Sequence, residues 1–118
     1  MIVPAEAVRV VIATRPVDFR RGHDSLAALA QHQLGLDPHS GVIMVFRSKR
    51  GDRIKILVFD GTGLVLVYKR LEQGRFAWPA IRGGIMRLSR AQFEALFDGL
   101  KWQRMHGPRR VRRPTATA

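Results

Sequence analysis

The chain has 118 residues, with 21 lysines and arginines against nine acids and a formal net charge of +12 at pH 7. This length fits one domain, and the absence of cysteine excludes a disulfide framework, a thiolate metal site and a cysteine nucleophile. A charge of this size implies an anionic partner, with nucleic acid first and an anionic membrane surface or an acidic protein second.

The first part of the chain predicts a strand followed by a helix. Residues 8–13 form a short apolar run that is typical of a buried strand. Residues 24–34 place leucines and alanines at helical spacing, and Gly35 provides the stop. Asp24 or Ser25 can cap the start of this helix.

Two adjacent arginines precede the predicted helix. Arg20 and Arg21 lie just before its first turn, where free backbone N–H groups add to their attraction for an anion. Pairing of Asp18 with Arg21 across the loop is the alternative use of these charges.

Three consecutive antiparallel strands are predicted in the middle of the chain. Residues 42–48, 53–60 and 64–71 are rich in β-branched and aromatic residues. Residues 49–52 and 60–63 separate them, and Asp60-Gly61 suits a tight hairpin turn.

Alternation along these strands sorts their side chains onto two faces. One face is almost purely aliphatic and is assigned to the core: Ile43, Val45, Ile54, Ile56, Val58, Val65 and Val67. The other face is apolar near the second turn, at Leu57, Phe59, Leu64 and Leu66. Its far end is cationic, at Arg53, Lys55, Tyr68 and Arg70. Such a cationic end suits phosphates and a stacked base, or it is a solvated set of charges that protects the sheet edge.

The segment that follows, residues 69–79, mixes cations with aromatic residues. Phe76 and Trp78 alternate as in a short strand or extended segment, with Arg75 beside them. Lys69 and Arg75 could serve nucleic acid through phosphate contact and stacking. Alternatively, the two aromatic side chains close the core.

The last predicted elements are an edge strand at residues 85–88 and a second helix. Ser89 and Gln92 have the spacing of a capping box, and Leu88 with Phe93 has that of a hydrophobic staple. The apolar stripe of the helix runs on through Asp98, with Gly99 as the stop.

The predicted order is β-α-β-β-β-β-α, an α+β fold: a small single domain, residues 1–102, with a mostly antiparallel sheet and two helices. Residues 103–118 predict a basic C-terminal tail that is disordered when alone. Its candidate DNA-binding cations are Arg109, Arg110, Arg112 and Arg113.

The sequence supplies no motif for catalysis. The acids fall mostly in turns and caps, the four histidines lack ligand spacing, and no phosphate-binding or nucleophile motif is present. A non-enzymatic protein without metal or cofactor is therefore expected. No signal peptide and no membrane span is predicted, so a cytoplasmic protein without a membrane partner is the expectation.

The chain resembles TnpB, the accessory protein family encoded by the second open reading frame of insertion sequence 66 elements. The resemblance covers about residues 7–102 and rests on segments in this order: DFRRG at 18–22 with Leu26, DPHSG at 37–41, VFR at 45–47, RGDRIKIL at 50–57, DGTG at 60–63, KRLEQGRFAWP at 69–79, LS at 88–89 with the helix after it, and GLKW at 99–102. The residue before the Asp-Gly turn departs from the family, which usually carries tryptophan where this chain has Phe59.

The resemblance implies a bacterial mobile element and a helper that acts beside a separate transposase. The first hypothesis is a DNA-binding accessory factor that contacts element ends or target DNA. Its candidate contacts are Arg20, Arg21, Arg53, Lys55, Tyr68, Lys69, Arg70 and Arg75, with the tail arginines adding nonspecific affinity.

The alternative is an adaptor that docks on the transposase, or on a second copy of itself, through an apolar patch. That patch would be Leu57, Phe59, Leu64 and Leu66. RNA binding through the sheet is a weaker idea, because no motif of the common sheet-based RNA-binding domains is present.

Overall fold

In a computed structural model of the chain, which describes residues 9–80 and 83–104, a five-stranded sheet carries one helix on each face. The elements in chain order are β1 (Val10–Ala13), α1 (His23–Gln33), β2 (Ile43–Arg47), β3 (Arg53–Phe59), β4 (Leu64–Arg70), β5 (Ile85–Leu88), α2 (Arg90–Phe97) and a short 3-10 helix (Trp102–Arg104). The α+β class and the predicted element order are confirmed.

The strands lie in the order β4-β3-β2-β1-β5. β1 and β2 are parallel, joined by α1 as a crossover, and all other neighbours are antiparallel. Parallel strands covered on both faces read as continuous apolar runs, which is why every residue of β1 is buried. The parallel pairing was not predicted.

The three central strands form as predicted, within one residue at each end. Their tight turns are held by backbone hydrogen bonds: Gly51 N–H donates to the Ser48 carbonyl at 3.0 Å, and Asp60 N–H donates to the Gly63 carbonyl at 3.1 Å. The Asp60 carboxylate accepts from the backbone N–H groups of Thr62 and Gly63, each at 3.0 Å.

Both faces of the sheet are buried, not one. The predicted aliphatic face packs under α2, with Ile43, Val45, Ile54 and Ile56 all essentially inaccessible. Val65 is an exception to the predicted core, since β4 is an edge strand and leaves it 37% exposed. The opposite face packs under α1 through Leu26, Ala27 and Ala30.

The start of α1 differs from its prediction. The N-cap is Gly22, which makes no side-chain capping bond. Asp24 and Ser25 are not the cap, because both lie inside the first turn of the helix. The Ser25 hydroxyl instead accepts a 2.7 Å bond from Arg21 Nη1. Gly35, at φ 65°, ends the helix region as predicted.

The segment after β4 closes the α2 side of the core and is not a strand. Phe76 N–H donates to the Gly51 carbonyl at 2.8 Å, and its ring is buried. Trp78 Nε1 donates to the Ala13 carbonyl at 3.1 Å. These two aromatic side chains therefore close the core, which was the alternative to a role in nucleic-acid binding.

The predicted tail lies almost wholly outside the described residues. The 3-10 helix extends past the predicted boundary at residue 102, and Trp102 Nε1 donates to the Ala77 carbonyl at 2.6 Å. Arg109, Arg110, Arg112 and Arg113 are among residues 105–118, which the structure does not describe.

The predicted capping box of α2 is present in full: the Ser89 side chain accepts from the Gln92 N–H at 3.1 Å, and the Gln92 side chain accepts from the Ser89 N–H at 2.9 Å. We expect Ser89→Ala to lower the free energy of unfolding by about 1 kcal/mol. Urea denaturation measures this change. Gln31→Ala, at an exposed position of α1, is the control and should stay within about 0.5 kcal/mol; a Ser89→Ala variant as stable as the control would contradict the capping role.

Candidate nucleic-acid interface

Positive charge gathers where the β2–β3 turn lies, and we name this region the basic end. The parallel β1 and the antiparallel β3 and β4 all bring a chain segment there. Its exposed or half-buried cations are Arg15, Arg20, Arg21, Lys49, Arg50, Arg53, Arg70 and Arg75. The opposite end carries the Asp37 and Asp60 turns instead.

Lys55 joins the loop before α1 to the sheet. It points from β3 under the loop and is only 6% exposed. Its ammonium donates to the carbonyls of Phe19 at 2.6 Å and Arg21 at 2.7 Å. The same Nζ lies 5.1 Å from the Phe19 ring centroid and 5.2 Å from that of Tyr68. Burying an ammonium is costly unless it is bonded, and here carbonyls and ring faces both compensate it.

Lys55 is therefore not a free cation for a phosphate, which corrects its place among the predicted contacts. Its role is to hold Arg20 and Arg21 beside the cationic end of the strands. The two clusters that the sequence predicted separately thus become one surface.

The Asp18–Arg20 pair sets the shape and charge of the loop. Arg20 donates to the Asp18 carboxylate through Nε, at 3.1 Å to each oxygen, and through Nη2 at 2.6 Å. These hydrogen bonds, with the positive charge of Arg20, hold the pKa of the Asp18 carboxyl well below its usual range. The predicted alternative paired Asp18 with Arg21, but the carboxylate pairs with Arg20 instead.

Tyr68 stands at the centre of the basic end. Its hydroxyl accepts a 2.8 Å bond from Arg53 Nη1, and its ring meets the Phe19 ring edge-on at 5.6 Å between centroids. Tyr68 is nevertheless 48% exposed. The ring is thus fixed by neighbours on β3 and the loop while part of its surface remains open.

Acidic side chains form ion pairs with some of the cations of the basic end. Arg53 lies 3.9 Å from the Asp52 carboxylate and Arg70 lies 3.7 Å from that of Glu72. Asp24 lies in the first turn of α1. Within the described part of the chain, five cations of the basic end make no ion pair: Arg15, Arg21, Lys49, Arg50 and Arg75.

Lys69 lies on the other face of the sheet from Tyr68 and Arg70. Its ammonium donates to the Phe97 carbonyl, which ends α2, and lies 4.2 Å from the Phe97 ring centroid. A cation there complements the negative end of the helix dipole. Lys69 therefore serves the fold, and it does not share a surface with the other predicted contacts.

Arg47 also lies on the α2 side. Its guanidinium is 5.8 Å from the Trp78 ring centroid, its Nε is buried without a hydrogen-bond partner in the described residues, and burial lowers the pKa of the guanidinium. It packs against the core and does not join the basic end.

The apolar patch predicted for an adaptor is covered by α1. Leu57 is fully buried, and Leu64 and Leu66 pack against the cluster under α1. Phe59 is half-buried, with its ring edge-on to His39 at 5.2 Å. Leu57 cannot meet a partner without opening the domain, and the patch mainly serves the α1 core.

Sequence reasoning missed three cations of the basic end. Lys49 and Arg50 lie in the β2–β3 turn, and the predicted hairpin already places that turn beside Arg53. Arg15 follows β1 and reaches this end only because β1 runs parallel to β2, which no local pattern indicates.

Between residues 9–80 and 83–104, no group of three or more histidines and acids is placed to hold a metal ion. No helix in the same ranges is long and apolar enough to cross a membrane.

Comparison with known proteins gives one family and two full-length relatives. The family model described as IS66 Orf2 like protein matches residues 8–107. The uncharacterized protein y4jC of Sinorhizobium fredii is 43% identical over 118 residues, covering all of both chains. The uncharacterized protein y4hO of the same organism is 41% identical over 115 residues, covering 98% of this chain and 97% of that protein. No solved structure matches the chain.

Replacing Lys55 should loosen the loop from the sheet. Lys55→Met keeps the length of the side chain but leaves two carbonyls without a charged donor, so we expect a loss of about 2 kcal/mol in the free energy of unfolding. Urea denaturation measures it. Lys49→Met, an exposed lysine in the nearby turn, is the matched control and should change stability by less than about 0.5 kcal/mol. Equal midpoints for the two variants would show that Lys55 does not hold the loop.

The Asp18–Arg20 pair predicts an unusual titration. At pH 3.8, which is the ordinary pKa of an aspartate, the Asp18 carboxyl should still be ionised. Arg20→Gln should raise the pKa of Asp18 toward that value. Because the folded-state pKa is depressed, any stability from the pair is present above the unfolded pKa and is lost as pH falls through the folded one. Carboxyl-carbon NMR follows each titration.

Asp60 is the internal control for this titration. Backbone hydrogen bonds from Thr62 and Gly63 lower its pKa without help from an arginine, so Arg20→Gln should leave it unchanged. An Asp18 that titrates at its ordinary value in the unmodified protein would contradict the pairing.

Proposed function

Because this chain belongs to the IS66 Orf2 like protein family, which has a transposition-associated accessory role, we propose that it acts by binding DNA through the basic end. The DNA would be the ends of the insertion sequence or its target. The separate transposase would be the protein partner in the same complex.

The observation that supports this proposal is the concentration of cations at one end of the sheet. Strand ends, a hairpin turn and the loop before α1 all contribute arginines to it. Cations of the basic end without an ion pair can neutralise phosphates directly, and arginine forks onto phosphate oxygens in a bidentate way.

The positions of Arg53 and Arg70 also favour an anionic ligand. They are direct cross-strand partners on one face of β3 and β4, and like charges directly opposite each other destabilise a sheet. Asp52 and Glu72 form ion pairs with these arginines at 3.9 and 3.7 Å, beyond hydrogen-bond distance, and so offset only part of this repulsion. A phosphate near both guanidinium groups would remove it.

The expected affinity is electrostatic in large part. Contact with about six phosphates would make the logarithm of the binding constant fall with the logarithm of salt concentration at a slope near −5. Phosphate contacts position a protein on DNA but carry no sequence information of their own. A preference for element ends would have to come from other contacts.

Removing the cross-strand arginines should weaken DNA binding and flatten its salt dependence. For the Arg53→Gln/Arg70→Gln variant of the full chain, we expect a salt slope shallower by about 2 and clearly lower affinity for an element-end duplex. Fluorescence anisotropy across a salt series measures both quantities.

The control for this test is a variant with the same loss of charge elsewhere. Arg87→Gln/Arg90→Gln removes two exposed cations, one on β5 at the opposite edge of the sheet and one on α2. Equal slopes for the two variants would mean that the basic end has no special part in binding. If both double variants bound the duplex as tightly as the unmodified protein, the DNA contacts would have to be sought in residues 105–118.

A further inference from the structure

The Tyr68 ring is held in place by three neighbours and is still partly exposed. The Lys55 ammonium lies over the ring, the Phe19 ring packs against it edge-on, and Arg53 bonds its hydroxyl. Nearly half of the residue nevertheless remains exposed to solvent.

A ring that is fixed by its neighbours and still exposed suits a stacking contact. An aromatic ring fixed before binding loses little conformational entropy when a ligand stacks on it. Arg53 is within hydrogen-bond distance of the ring hydroxyl, and Arg70 is its cross-strand partner. A stacking surface therefore lies directly beside two phosphate-binding groups.

We propose that Tyr68 stacks on an unpaired base while Arg53 and Arg70 hold the flanking phosphates, so that the protein prefers single-stranded or locally opened DNA to intact duplex. Bases inside a duplex already stack on both faces and cannot reach a ring on a sheet surface. An unpaired base has a free face and gains from an aromatic partner whatever its identity. This inference rests on the proposed function.

The test compares two variants of the full chain with two labelled probes. The probes are a 12-nucleotide single strand of mixed sequence and a blunt duplex of the same sequence. Tyr68→Leu removes the aromatic face and keeps apolar bulk, whereas Tyr68→Phe keeps the ring and loses the hydroxyl. We expect Tyr68→Leu to weaken single-strand binding about tenfold and Tyr68→Phe to weaken it less than about threefold. On the duplex the two variants should not differ from each other, because no free base face is available there to distinguish a ring from a leucine.

An abasic scan of the single strand tests the same contact from the side of the DNA. With unmodified protein, removing the base at one or a few positions should cost about tenfold in affinity, and Tyr68→Leu should abolish this position dependence. A uniform response along the strand would overturn the proposal, even if Tyr68→Leu failed to fold.

The two proposals fail in different ways. If Arg53→Gln/Arg70→Gln weakens binding to both probes but Tyr68→Leu weakens neither, DNA binding stands and stacking is wrong. If no probe depends on the arginines, the proposed function itself fails. Tighter binding of an RNA strand of the same sequence, with the same dependence on Tyr68, would overturn the assignment to DNA.

Discussion

A buried lysine ammonium holds the basic end of this domain together. Lys55 takes two backbone carbonyls from the loop before α1 and lies against the rings of Phe19 and Tyr68. An ammonium without these partners would carry a large desolvation cost in such a position. The loop, the start of α1 and the exposed tyrosine are therefore positioned by a single side chain from the middle of the sheet.

The two ends of this sheet face differ in what covers them. Toward the β3–β4 turn, α1 covers the apolar side chains and completes a second core layer. Toward the β2–β3 turn the helix gives way to the loop, and the same sheet face changes from leucines to arginines and a tyrosine. One alternating pattern along β3 and β4 thus provides core at one end and a basic surface at the other. Lys69, one residue from Tyr68, faces the other way and caps α2.

Most of the fold could be predicted because its signals are local. Alternation gave the three central strands and sorted their faces correctly, and the capping box and stop glycines gave the bounds of α2. The parallel pairing of β1 with β2 and the burial of both sheet faces depend on where α1 packs, which no short pattern encodes. The role of Lys55 could not be predicted either, because its hydrogen-bond partners lie 34 and 36 residues away in sequence. The strand residues and the loop arginines were therefore predicted as two separate clusters and not as one surface.

The central claim is that DNA binds to the basic end of the domain. The most direct measurement is a titration of the ¹⁵N-labelled full chain with a short element-end oligonucleotide at fixed salt, followed by backbone amide shifts. The account predicts that the largest shifts fall in residues 18–22, in the β2–β3 turn and at Arg53, Tyr68 and Arg70, with α2 and the β3–β4 turn little changed. Shifts confined to the α2 side, or to residues 105–118, would contradict it.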